Sequence, residues 1–141
     1  MTRKDFLTLV GVGAGALIVS RCLQGCSGNG TNPSPPSNVN LALDLTSPAY
    51  ISLKTNGNYV YTSNGIIVAK TLAGAYIAVS QYCTHQGVNV VYNSNQNNFV
   101  CNAHGSVFNS SGAVANGPAN SALKQYTTTL SNNGNTLTIT G

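Results

Sequence analysis

Charge is the scarcest commodity in this sequence. Only 6% of its 141 residues are Asp, Glu, Lys or Arg, six basic against two acidic. Three of the basic residues, Arg3, Lys4 and Arg21, sit in the N-terminal segment, and beyond it only Asp44, Lys54, Lys70 and Lys124 remain. The net charge of +4 therefore belongs mainly to the first residues and does not argue for a nucleic-acid partner. Histidine is also scarce, with two in the chain. Beyond the N-terminal segment Asp44 is the one carboxylate side chain, so acid–base groups are few. Amphipathic helical periodicity is missing after the N-terminus. The one apolar run, Leu7 to Val19, is shorter than the ~20 residues a membrane-spanning helix needs.

What the N-terminus does contain is an address. Thr2-Arg3-Lys4-Asp5-Phe6-Leu7 followed by the apolar run has the basic and hydrophobic regions of an export signal, closed by Arg21. The opening resembles a twin-arginine signal, with Lys4 where the second Arg would stand. That route carries proteins already folded around a cofactor. Leu23-Gln24-Gly25-Cys26 resembles a bacterial lipobox, with Cys26 the residue to be lipidated. Cys22 lacks a small residue before it. Each buried methylene of an acyl chain contributes about 0.8 kcal/mol, so several chains on Cys26 would anchor the protein without crossing the bilayer. Residues 27–38, rich in Ser, Gly, Asn and Pro, read as a flexible tether on an extended path. Its twelve residues would reach about 35 to 40 Å. The expected plan is an export signal with lipobox over 1–26, a tether over 27–38 and one folded domain over 39–141.

In that domain the apolar residues follow a period of two. Leu41, Leu43 and Leu45 alternate, as do Ile51 with Leu53, Tyr59 with Tyr61, Ile77 with Val79, and Leu137 with Ile139. Turn signals such as Asn56-Gly57, Asn64-Gly65, Ala73-Gly74, Ser111-Gly112 and Asn133-Gly134 divide the runs. Eight to ten short strands without a helix predict an all-β fold, a small antiparallel barrel or sandwich.

All the remaining chemistry is concentrated in two short segments. Cys83-Thr84-His85 is answered, after fifteen intervening residues, by Cys101-Asn102-Ala103-His104-Gly105-Ser106. Both histidines, and both cysteines outside the first 26 residues, lie there. Two soft thiolates and two imidazoles form a ligand set suited to zinc or to an iron–sulfur centre. Each segment follows a predicted strand and carries a glycine, Gly87 or Gly105, where the backbone can turn closely. Two loops of this kind at one end of a β-scaffold can enclose a compact inorganic centre.

The paired pattern C-x-H and C-x-x-H-G-S resembles the Rieske iron–sulfur proteins. The likeness extends to Gly74-Ala75-Tyr76-Ile77-Ala78-Val79-Ser80 before the first motif, to Phe108 and Gly112 after the second, and to Gly117-Pro118-Ala119 with Leu123. It runs from about Tyr59 to the C-terminus. It implies the Rieske domain fold with a cluster-binding loop subdomain. It also implies a 2Fe-2S cluster in which Cys83 and Cys101 bind one iron and His85 and His104 the other. Two ferric ions, two sulfides and two thiolates sum to zero charge, whereas four thiolates would leave the centre two charges more negative. An electron enters the neutral centre more easily, which places the potential at about −150 to +300 mV.

Within that window the neighbouring donors decide. Ser106 matches the serine that donates to a bridging sulfide in high-potential members. Phe108 stands where those members have a tyrosine hydroxyl reaching a cysteine sulfur. Val88 and Ala103 occupy the two positions of their inter-loop disulfide, and Asn120 replaces the second proline of their covering loop. The loops are therefore expected to depend on packing and on Gly117-Pro118-Ala119, and the potential to be low to intermediate. His85 and His104 would turn their outer N–H groups to the protein tip, where a redox partner docks and where protons can be lost on oxidation.

The expected role is one-electron transfer between larger redox proteins, such as a cytochrome or an oxidoreductase subunit, by a lipid-anchored protein outside the cytoplasm. The alternative is the Rieske subunit of a quinol-oxidising cytochrome bc-type complex or of an enzyme resembling arsenite oxidase. A structural Cys2His2 zinc site is the non-redox alternative. Catalysis by the domain alone is not expected, because Rieske oxygenases need further His and carboxylate ligands. The tyrosines read as strand packing ahead of an electron relay.

Overall fold

A computed structural model describes residues 32–141. The expected export signal, the lipobox with Cys26 and the first part of the tether lie outside the described residues. The described chain forms ten strands and one short 3-10 turn. In chain order these are β1 (Asn40–Asp44), the turn Ile51–Lys54, β2 (Tyr59–Tyr61), β3 (Ile66–Lys70), β4 (Tyr76–Ser80), β5 (Val91–Asn93), β6 (Asn98–Cys101), β7 (Ser106–Asn109), β8 (Val114–Asn116), β9 (Gln125–Leu130) and β10 (Thr136–Thr140). They build a six-stranded sheet in the order β1-β10-β9-β4-β3-β2 and a four-stranded sheet in the order β5-β6-β7-β8. Every pairing is antiparallel.

The two sheets give the all-β architecture that the period of two predicts. Leu43, Leu137 and Ile139 alternate into the core from β1 and β10, whose registers set Leu43 opposite Leu137. Alternation fails in β3, where Ile66, Ile67, Val68 and Ala69 are all fully buried, and at the end of β4, where Ala78, Val79 and Ser80 are buried in succession. Ile67 and Ala69 face one core with Val79, Tyr92, Phe99 and Phe108, and Ile66 and Val68 face the other with Leu43, Leu53, Leu137 and Ile139. A strand covered on both faces reads as a continuous apolar run. With its neighbour β4, whose Val79 and Ala78 likewise face opposite cores, this strand is the partition between an aliphatic core and a core that contains the cysteines.

Two expectations change in detail. Ile51 and Leu53 do not alternate along a strand; they lie in the 3-10 turn Ile51–Lys54, with Leu53 buried and Ile51 exposed. Leu53 still enters the aliphatic core, which is why the local spacing imitates a strand. Asn32 to Asn38 has no regular secondary structure, as a Pro- and Ser-rich segment should. It nevertheless touches the domain. The Pro36 carbonyl accepts hydrogen bonds from Tyr126 Oη at 2.7 Å and Lys124 Nζ at 3.1 Å. Val39 and Gly141 then exchange backbone hydrogen bonds beyond the end of β1. Among the described residues no helix is long and apolar enough to cross a membrane.

Candidate metal centre

The four ligand candidates lie around the exits of β4 and β6. After β4 the chain crosses the single bridge Tyr82 to Asn89 and enters the first loop, where Cys83 N–H donates to Val88 O at 2.8 Å and Gly87 N–H returns to Cys83 O at 2.7 Å. The second loop closes in the same manner, with Gly105 N–H donating to Cys101 O at 2.9 Å. C-x-H-x-G and C-x-x-H-G thus share a Cys-to-Gly step of four residues, and both glycines have positive φ, +70° at Gly87 and +79° at Gly105. One backbone turn, used twice, presents a cysteine inside and a histidine outside.

The burial follows that division. Cys83 and Cys101 are part of the core with Phe99 and Phe108, whereas His85 is half-buried and His104 exposed. The imidazole centroids are 4.7 Å apart with their planes at 80°. Burial pushes the Cys101 thiol pKa up and hydrogen bonding with the Cys83 thiol adds to the rise, while backbone N–H groups of Ala103 and His104 aimed at the sulfur oppose it. The pairing is two and two, cysteine with cysteine and histidine with histidine. Among the described residues no three of these side chains are grouped about a single point.

Three observations test the fit of a two-iron centre. His85 Nδ1 is buried and has no hydrogen-bond partner, which is costly for a polar ring nitrogen unless it is a ligand. The donor set supplies thiolate sulfur on the inner side and imidazole nitrogen on the outer side. Ser106, fully buried, accepts the Ala119 N–H at its Oγ at 3.0 Å, so its own proton is left to donate elsewhere. The residues fit.

The third loop, residues 117–121, ties the first two together. Thr84 Oγ1 donates to Ser121 O at 2.6 Å, Ala119 holds Ser106, and Asn116 Nδ2 reaches Gly105 O at 3.4 Å. Its far end is secured at Gly112 (φ +89°), where an added Cβ would lie 2.6 Å from Leu123 O. The expected dependence of the loops on packing and on Gly117-Pro118-Ala119 takes this form, with Val88 and Ala103 both exposed. Thr84, Asn116 and Asn32 have roles that sequence reasoning missed. Thr84 alone had a signal, its place between two ligands.

A family model for the Rieske 2Fe-2S domain matches residues 46–127. The cytochrome b6-f complex iron-sulfur subunit 2 of Synechocystis is 29% identical over 126 residues, covering 84% of this chain and 70% of that protein. The chloroplastic cytochrome b6-f iron-sulfur subunit of Pisum sativum is 41% identical over 54 residues, covering 38% of this chain and only 24% of the relative's length. Among solved structures, the cyanobacterial plasma membrane Rieske protein of Synechocystis is similar with a TM-score of 0.50 and 33% identity, over 59% of this chain and 84% of that one. The ferredoxin of carbazole 1,9a-dioxygenase from Nocardioides aromaticivorans shares the fold, with a TM-score of 0.53, 14% identity and coverage of 77% and 98%.

Proposed function

This chain belongs to the Rieske 2Fe-2S family, and from that premise we propose that it is a one-electron carrier, tethered to a membrane outside the cytoplasm through a lipidated Cys26. The 2Fe-2S cluster supplies a one-electron couple. Cys83 and Cys101 would hold one of its irons, and His85 and His104 the other. The observation that carries this assignment is the buried, unpartnered Nδ1 of His85, together with a buried cysteine pair.

The surrounding residues have separable tasks. Ser106, whose Oγ accepts the Ala119 N–H, has its own proton free to donate to the centre, and the Ala103 and His104 N–H groups lie at the Cys101 sulfur. Donors placed where negative charge arrives on reduction favour the reduced form and raise the potential. Phe108, fully buried, contributes apolar cover and no donor. His104 is the exposed contact for the redox partner, with His85 beside it. No residue from Gln81 to Leu123 is charged, so the rim formed by Thr84, Gln86, Asn102 and Asn120 suits a partner that docks without charge steering.

A second reading, a subunit of a quinol-oxidising complex, is favoured by the named relatives, which are cytochrome b6-f subunits. Val88, Ala103 and Phe108 weigh against it, because the high-potential pattern needs a bridge and a hydroxyl at those positions. An enzyme resembling arsenite oxidase remains the other complex in which the domain could serve. Potentiometry of the purified protein from about pH 6 to 10 distinguishes them. The carrier role predicts a low-to-intermediate midpoint. A high midpoint that falls with pH would move the protein to the quinol-linked class, and absence of visible absorption, iron and acid-labile sulfide would end both redox readings.

A further inference from the structure

We propose that Asn32 to Pro36 is a strap that holds the first ligand loop closed, so that Asn32 and Tyr126, at its two ends, position the metal centre without touching it. The proposal rests on the assignment of His85 as a ligand. At the upper end, Asn32 Nδ2 donates to the backbone carbonyl of His85 at 3.3 Å. Pro33 covers Gly87 so closely that a Cβ there would stand 2.5 Å from Pro33 Cδ. At the lower end, the half-buried Pro36 carbonyl accepts both the Tyr126 hydroxyl and the Lys124 ammonium. Lys124 also lies 5.0 Å from the centre of the Tyr126 ring.

The composition suits the task. Pro33, Pro35 and Pro36 are three of the strap's five residues. Each fixes its own φ, so an extended path costs little further entropy to pin. The four steps between the attachments span roughly 12 Å in that conformation. Tyr126 is buried in the core facing away from the cysteines, with its hydroxyl as the one polar group it must satisfy. Pro36 O satisfies it. The lower attachment is thus anchored in the aliphatic core, and the upper one bears on the loop that carries Cys83 and His85.

The test uses the full cluster-loaded chain and the variants Asn32→Ala, Tyr126→Phe and the double variant. Two quantities are followed, the loss of visible absorbance in excess chelator and hydrogen exchange at the amides of Thr84 to Val88, with the amides of β10 as internal control. Asn32→Ala is expected to accelerate both by roughly fivefold, the worth of one hydrogen bond. Tyr126→Phe leaves the Lys124 donor on Pro36 and loosens the strap only in part, so its acceleration should be smaller, the double variant should be no faster than Asn32→Ala, and β10 should keep its protection. Unchanged loop exchange in both singles would overturn the strap, as would effects confined to β9 and β10. Asn32 is exposed, so Asn32→Ala decides the matter if Tyr126→Phe does not fold. Should the unaltered chain hold no cluster, the functional reading fails on its own, and loop exchange still decides the strap.

Discussion

The six-stranded and four-stranded sheets divide the work of this molecule unequally. In the larger sheet β1 and β10 pair over five residues each, and the core on their side is aliphatic, with no metal-ligand candidate in it. In the smaller sheet β5 and β8 have three residues and β6 and β7 four, with a register shift between Val107 and Phe108. Strands this short are weak alone. Their core contains both cysteines; one ligand loop joins β6 to β7 and the other leads from β4 of the larger sheet into β5. The larger sheet repeats its pairing over longer strands, whereas the smaller one packs on the partition strand β3 and is tied to the third loop.

The strongest way to break the comparison is Cys101→Ser. Visible absorption and acid-labile sulfide should be lost completely, because one thiolate cannot hold an iron alone. Hydrogen exchange should rise across β5 to β8 and remain slow in β1, β9 and β10. Uniform loss of protection would show instead that the sheets are one cooperative unit. Next in size is Leu137→Ala, in the opposite core, expected to cost about 2 to 5 kcal/mol by denaturant unfolding. The folded fraction should keep an unaltered visible spectrum.

Ser106→Ala gives a smaller effect on the centre. Removing a donor worth about 1 kcal/mol to the reduced form lowers a one-electron potential by roughly 40 mV. The Ala119 N–H is orphaned at the same time, so the third loop should loosen. Phe108→Tyr should act in the opposite direction and by a similar amount if its hydroxyl reaches a cysteine sulfur; a potential unmoved by both changes would contradict the donor argument. The smallest effect is alkaline. Burial pushes Tyr126 up to about 12 from an ordinary phenol near 10. A raised folded-state pKa contributes stability in full below the unfolded value, and that stability is lost as pH rises from 10 toward 12. Unfolding titrations across that range should show a decline that Tyr126→Phe flattens.

Much of this was legible in the residues, for physical reasons that differ by region. Leu43 with Leu137 and Ile139 follow the two-residue period because one face of β1 and β10 is wet. Ile66 to Ala69 obscures that signal because both faces are dry, and Ile51 with Leu53 imitates it in a single turn. Cys83, His85, Cys101 and His104 stand out because so few other ligands exist in the chain. Thr84 and Asn116 carry no such mark, since a hydroxyl or amide in a polar loop becomes a tie only when another loop arrives within reach. Asn32 and Pro33 read as tether for the same reason.

By itself, then, the sequence determined the kind of chemistry and the kind of scaffold. Ligand identity is a property of side-chain atoms, and strand alternation is a property of neighbours along the chain. Tertiary structure decided which of these side chains lie together, which imidazole nitrogen is sequestered, and which contacts tie the loops. Those depend on contacts such as Thr84 with Ser121, 37 residues apart, and Asn32 with His85, 53 apart. No local pattern encodes such contacts, because their free energy exists only once the two sheets have packed across β3.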